Sequence, residues 1–358
     1  MTESPRELRC LIAAGGTAGH VLPSLAIAAA LRDRGVKVTF AGSPDRVEAE
    51  LVPAAGFEFD GFRVSGFPRR PGLRLARSLF QAGAAPAACA RILAHRRPHV
   101  VLGGGGYVAG PMVLAAWLRR IPAALTEADA HLGLANRLAT PYARRIFLAY
   151  AIPGRAGTKY RVTGRPVPVR ADISRTDARA SLGLPLDGPL LLVAGGSQGA
   201  RVLNDFALDT WSDAGPAVLH LCGPRYADEL AARVSRAEYR LVPFVDDFGA
   251  AVTAADLTLS RAGGTVWELA AAGAPAILVP SPNVTADHQT LNARHFERGG
   301  GAILMAETEL ARVPALVEEL LGDPARLAAM SEAMRAMARP HAAKEIAEEL
   351  IALAASRR

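Results

Sequence analysis

At 358 residues the chain is longer than a single hydrophobic core usually serves, which predicts two domains. Half of its residues are apolar and 21% are charged, a balance that excludes a disordered polypeptide. Lysine and arginine number 41 against 34 acidic residues, and the resulting charge of +7 favours anionic partners: nucleotide phosphates, acidic lipid headgroups or nucleic acid.

Taken in chain order, "MTESPRELR" lacks the basic-then-apolar layout of a signal peptide. Strands are then expected at Leu8–Ala13, Val36–Ala41, His99–Leu102, Ala123–Thr126 and Arg144–Leu148, with helical segments between most of them. A second series is expected at Pro189–Ala194, Ala217–Leu221, Arg240–Val242, Leu257–Ser260 and Ala276–Val279. Such alternation marks βαβ units and parallel sheets. The proline-, glycine- and arginine-rich stretch Pro153–Pro168 reads as a linker, so domains are expected at 1–165 and 166–339. The amphipathic segment 340–358 would cross back onto the first. Residues 100–118, "VVLGGGGYVAGPMVLAAWL", are uncharged over a bilayer-spanning length, but four glycines and Pro111 favour a strand, a turn and a buried helix. Cys10, Cys89 and Cys222 are scattered and odd in number, and read as buried thiols in a reducing compartment.

Three apolar strands end in glycine clusters that open helices: "IAAGGTAGH", "VVLGGGGYVAGP" and "LLVAGGSQGAR". Glycine permits positive φ and close backbone approach, and the following helix aims unpaired N–H groups at the same spot. One such cluster alone reads as a tight βα turn. Three, two in the first half and one in the second, point to a cleft with walls from both domains. There is no G-x-x-x-x-G-K-[ST], which excludes a P-loop. Gly104, Gly106 and Ala109, with Glu127 further on, satisfy a lax dinucleotide fingerprint and keep a nicotinamide-dependent oxidoreductase open. In "SRAGGTVWELAAAGAPAILVPSPNVTADHQTLNA", Glu268 falls about one turn into a helix, where it suits either a ribose diol or the helix dipole. Asp287, His288, Gln289 and Asn292 suit either a sugar or a capped helix start.

Together "AGGTAGHVLPSLAIA", "GGGGYVAGP", "AGGSQGARVLN", "FVDD" and "RAGGTVWELAAAGAPAILVP…DHQTLNA" resemble the MurG family of bacterial UDP-N-acetylglucosamine transferases, in order and over nearly the whole chain. The resemblance implies an α/β GT-B fold, two Rossmann-like doubly wound domains flanking a cleft. It implies transfer of N-acetylglucosamine from UDP-N-acetylglucosamine to the 4-hydroxyl of N-acetylmuramic acid in lipid I, giving lipid II, by a single inverting displacement with no cofactor and no metal. By motif match, Ser197 and Gln198 would meet the diphosphate, Val245 the uracil, and Gly264, Thr265 and Val266 the diphosphate and ribose. Glu268 would bind the ribose hydroxyls, and Gln289 and Asn292 the sugar, with Asp287 nearby. Thr17, Ala18 and Gly19 would close over the donor. His20, Tyr107 and Glu127 fall on the acceptor side, His20 being either a base or a structural histidine.

Two departures stand out. The family's H-E-x-N becomes "TEAD" here, Thr126 to Asp129, and an ionised Asp129 accepts hydrogen bonds but donates none. The family's arginine after the linker is displaced, leaving Arg165 or Arg170 to supply the cation. Residues 62–80, with Trp117, Arg119 and Arg120, interleave arginines with Phe67, Leu73, Leu75, Leu79 and Phe80. That pattern fits either peripheral contact with an anionic leaflet on the cytoplasmic face or a helix packed on its own domain. No nucleic-acid partner is expected. Rival readings are another GT-B transferase with a different acceptor and a non-enzymatic nucleotide-sugar sensor.

Overall fold

The computed structural model describes residues 7–64, 73–168 and 173–356. The chain divides into two compact units, residues 1–168 with 339–358, and residues 169–338.

The first unit runs β1 (Arg9–Ala14), α1 (Ala18–Arg32), β2 (Lys37–Gly42), α2 (Glu48–Ala54), β3 (Glu58–Gly61) and α3 (Leu73–Arg96). It continues through β4 (Val100–Gly105), α4 (Ala109–Leu118), β5 (Ala123–Glu127), α5 (Leu134–Ala139), β6 (Arg145–Leu148) and β7 (Tyr160–Val162). The strands form one sheet in the order β3-β2-β1-β4-β5-β6-β7, and the pairs are parallel. Uninterrupted apolar runs suit strands covered on both faces. In β1, Cys10, Ile12 and Ala14 enter one core with α1 and the last helix, Ala342–Ala355. Leu11 and Ala13 enter the opposite core with α3 and α4. The terminal helix thus completes the first unit's core through Ile346, Ala347 and Leu350.

The second unit runs α6 (Arg175–Ser181), β8 (Leu190–Ala194), α7 (Arg201–Trp211), β9 (Ala217–Leu221), α8 (Ala227–Ala231), β10 (Tyr239–Val242) and α9 (Phe248–Ala254). There follow β11 (Leu257–Ser260), α10 (Thr265–Ala272), β12 (Ala276–Leu278), α11 (His288–Arg298), β13 (Ala302–Leu304), α12 (Val313–Leu321) and α13 (Pro324–Met337). Its sheet has the order β10-β9-β8-β11-β12-β13, again parallel. In both sheets the order reverses beside the first strand, between β1 and β4 and between β8 and β11. In doubly wound folds the carboxyl ends flanking that reversal are where ligands gather.

Three strands escape the sequence reading. β7 lies inside the stretch read as a linker, where Thr163 and Arg165 are also buried. β3 and β13 are short edge strands with little apolar alternation. Among the described residues no helix is long and apolar enough to cross a membrane, and 100–118 is β4, a turn and α4.

Candidate active site

In the first unit the β1–α1 turn is held from below by a residue the sequence reading passed over. Glu48 is fully buried, and its carboxylate accepts the N–H groups of Gly16 and Ser43, each at 3.0 Å. Gly16 has φ +93°, so glycine is required there, yet its N–H is committed to Glu48 rather than turned outward. The second glycine cluster is explained by packing. A Cβ on Gly104 would collide with Ser24, one on Gly105 with the His20 ring, and one on Gly106 with the Gly15 carbonyl.

That packing places His20 against Gly105, with Nδ1 3.3 Å from Thr17 Oγ1. Tyr107 lies against Gly16, so the structure brings the two expected residues to one turn. Burial, then the nearby Arg165 charge, pull the His20 pKa below its ordinary value, and Asp129 and a hydrogen bond with the Gly15 backbone oppose them. The ring is therefore neutral at pH 7, the form a general base needs.

Arg165 has a local cause. Pro23 sits inside α1 and has no N–H to give to Gly19, four residues earlier. Arg165 Nη2 donates to that orphaned carbonyl at 2.6 Å. The side chain is buried, with one of its N–H groups given to α1 and its charge felt at His20. Arg170 lies outside the described residues, as do residues 65–72 and the side chains of 73–84; Phe62 and Val64 are core residues.

Glu127 ends β5, and burial, with the nearby Asp129 charge, holds its pKa above the ordinary value, opposed only in part by the bonds it accepts. Its Oε1 accepts from the N–H groups of Ala128 and Asp129, and its Oε2 from Gly133 N–H and Asn136 Nδ2. Four bonds make it the organiser of the 128–133 loop. Thr17 and Gly19 are exposed, and Ala18 and Asp129 half-buried.

In the second unit the β8–α7 turn is arranged differently. Ser197 and Gln198 are exposed, and Gly196, at φ +90°, has open space where a Cβ would stand. Beneath them Gly199, at φ +70°, rests on the Cys222 carbonyl so closely that any Cβ would collide with it. Asn204 Nδ2 donates to the same carbonyl at 2.8 Å. Asn204 Oδ1 is 3.0 Å from His220 Nε2, and His220 Nδ1 is 2.7 Å from the Tyr239 hydroxyl. Burial pulls the His220 pKa down to about 3, so this buried chain holds a neutral imidazole.

The β11–α10 turn lies beside it. Arg261 donates to the carbonyls of Val279 and Pro280 and pairs with Glu307, tying the ends of β11 and β12 together. Gly264 and Thr265 are half-buried at the start of α10, and Glu268 is half-buried in its first turn. Two side chains expected at the donor, Val266 at the diphosphate and ribose and Asn292 at the sugar, are turned into the core. Val266 is wholly buried, and so is Asn292, whose Nδ2 donates to the Ala262 carbonyl at 3.1 Å and braces the turn from behind. Gln289 Oε1 accepts the Ser281 N–H at 2.8 Å, and its Nε2 side faces Gly263. Asp287 is exposed and accepts from Thr290 Oγ1 at 2.6 Å. Ala286 and Asp287 have φ of +54° and +50°, a strain without glycine of the kind that gathers at ligand loops. Val245 is half-buried just beyond β10, while Asp247 of the same motif caps α9 through Ala250 N–H.

Two doubly wound parallel-sheet units, each with glycine turns at the carboxyl ends beside the strand-order reversal, are the architecture of the GT-B fold, and the family match makes the chain a glycosyltransferase. Residues 10–148 match the glycosyltransferase family 28 N-terminal domain, and residues 190–349 the C-terminal domain. The chain belongs to that family. It is 42% identical over 358 residues to the UDP-N-acetylglucosamine–N-acetylmuramyl-(pentapeptide) pyrophosphoryl-undecaprenol N-acetylglucosamine transferase of Acidithiobacillus ferrooxidans, covering 95% of this chain and 96% of that one. The protein of the same name from Salinibacter ruber is 40% identical over 375 residues, covering 98% of each chain. The crystal structure of Acinetobacter baumannii MurG superposes with a TM-score of 0.76 at 26% identity, over 96% of this chain and 99% of that one. A glycotransferase of kitacinnamycin, at 20% identity and TM-score 0.72 over 97% of this chain and all of that one, shares the fold. Within family 28 the chain is a member of the MurG group.

Proposed function

We propose that this chain transfers N-acetylglucosamine from UDP-N-acetylglucosamine to the 4-hydroxyl of N-acetylmuramic acid in lipid I, forming lipid II for peptidoglycan synthesis. The observation that carries this reading is the second unit's carboxyl edge. There exposed Ser197 and Gln198 and the Gly263–Gly264 turn with Glu268 follow the adjacent strands β8 and β11.

In this mechanism the diphosphate lies against Ser197, Gln198 and the backbone N–H groups of the two turns. Glu268 accepts the ribose hydroxyls, Val245 borders the uracil, and Gln289 meets the sugar. Neutral His20 takes the proton of the acceptor hydroxyl as its oxygen attacks the anomeric carbon. The bond from that carbon to the phosphate oxygen breaks on the opposite side, so an α-linked donor gives a β-linked product. The charge gathering on departing UDP is stabilised by the N-terminal ends of α7 and α10. Glu127 acts at a distance, by fixing the loop that carries Asp129.

The test is UDP release from UDP-N-acetylglucosamine in EDTA, with and without a lipid I analogue. Acceptor-dependent release supports the reading. Donor binding without release points instead to a GT-B transferase for another acceptor, the second reading that the "TEAD" segment favours.

The same reading places the enzyme peripherally on the cytoplasmic face of the membrane. Trp117 and Leu118 at the end of α4 are 51% and 63% exposed, and Leu134 and Leu138, one turn apart on α5, are each 63% exposed. Arg119, Arg120 and Arg137 accompany them. Exposed apolar groups rimmed by arginines suit an anionic leaflet. Co-sedimentation with vesicles should rise with anionic lipid content, and binding indifferent to it would contradict this placement.

A further inference from the structure

The loop after β9, residues 222–226, is built into both segments that the donor reading assigns, yet neither motif includes it. On one side a Cβ on Gly223 would stand 2.5 Å from Gln198 backbone atoms and the Gly199 nitrogen, so loop and diphosphate turn are in direct contact. On the other side the N–H groups of Cys222 and Gly223 donate to the carbonyls of Val242 and Pro243, both at 3.0 Å, just ahead of Val245. Tyr226 completes the loop: its N–H donates to the Gly223 carbonyl at 3.1 Å, and its ring edge abuts Gly199.

Arg225 lies over that ring, its guanidinium carbon 4.7 Å from the centroid. Stacking restricts a long side chain that would otherwise sweep solvent. Its neighbours differ: Arg201 is paired with Asp205 and Glu229, and Arg233 with Asp205 and Asp209. Arg225 is exposed and makes no ion pair among the described residues.

We propose that Arg225 is the cation of the donor diphosphate subsite, its guanidinium on the Tyr226 face pairing with phosphate oxygens of the UDP-sugar and of departing UDP. The planar fork of arginine matches phosphate oxygens two at a time. Arg165 belongs to the first unit, where it donates to the Gly19 carbonyl, whereas Arg225 lies in the second. The assignment rests on the second unit being the donor site.

Calorimetric binding of UDP and of uridine separates the possibilities. Arg225→Met should weaken UDP by about ten- to a hundredfold, the loss of a charge-assisted bond to phosphate, and leave uridine within about twofold of the unaltered protein. Arg225→Lys should recover part of the UDP affinity. Unchanged UDP affinity in Arg225→Met, or uridine affinity falling in step with it, would overturn the proposal. If the unaltered protein bound neither ligand, the donor reading itself would fall, so the two failures are distinct.

Discussion

The glycine turns of the two units use the same residue type for different ends. In the first unit the glycines bring structure together: Gly16 N–H is committed to Glu48, while Gly105 and Gly106 let β4 close on His20 and Gly15. In the second unit Gly199 and Gly223 do comparable packing, but Gly196, Ser197 and Gln198 are left facing outward. A glycine turn after a strand is thus not in itself a phosphate site. What decides is whether its N–H groups and neighbouring hydroxyls are already spent. The first unit reads as the one that positions a base, and the second as the one that holds the diphosphate.

The largest effect that would break this division is on turnover. His20→Ala should lower kcat by about 10²–10⁴-fold, the usual range for a general base, with UDP affinity unchanged. Because burial and Arg165 hold the His20 pKa below its ordinary value, activity should persist as pH falls through 6.5 and decline only below it. An acid limb at or above 6.5 would show that another group is titrating.

Next comes Gly106→Ala, which meets the Gly15 carbonyl at φ +75°. It should cost about 3 kcal/mol of stability, seen in thermal unfolding, while UDP binding below the transition stays normal. Weakened UDP binding with intact stability would reverse the roles given to the two turns.

A pH effect probes the second turn's support. His220 has a folded pKa of about 3 against an ordinary value of 6.5, so below 6.5 the unfolded chain takes up a proton that the folded one refuses. Stability should therefore fall as pH falls, by about 1.4 kcal/mol per unit between those limits, and His220→Gln should flatten that slope. Urea unfolding at pH 7, 6 and 5 measures it, and parallel slopes would contradict the buried neutral imidazole. The smallest stability change belongs to Gly196→Ala. With open space around it, the variant should lose only about 1 kcal/mol to its positive φ, yet UDP affinity should drop about tenfold as the methyl meets the ligand.

The sequence was most legible where a strand is buried on both faces. The strands read from apolar runs are present, within three residues at either end, while β3, β7 and β13 were missed. All three are sheet edges of three or four residues: β3 and β7 mix charged with apolar side chains, and β13 is an apolar run of only three residues, too short to mark a strand. The motifs located both halves of the candidate site, because glycine at a strand end is visible in one dimension. They could not distinguish a side chain that faces a ligand from one that braces the turn behind it. Asn292 and Val266 sit in the same motif as Glu268, and burial alone separates them. Glu48, and the bond that Arg165 makes, were illegible for a related reason. Each answers a backbone group made needy elsewhere, a turn N–H in one case and the carbonyl opposite Pro23 in the other.

The most direct measurement is the product itself. Incubating the full chain with UDP-N-acetylglucosamine and a lipid I analogue should yield the acceptor carrying one added N-acetylglucosamine, and proton NMR should show a β linkage at the 4-position. An α linkage, or no glycosylated product from a donor that demonstrably binds, would contradict the inverting transfer to lipid I.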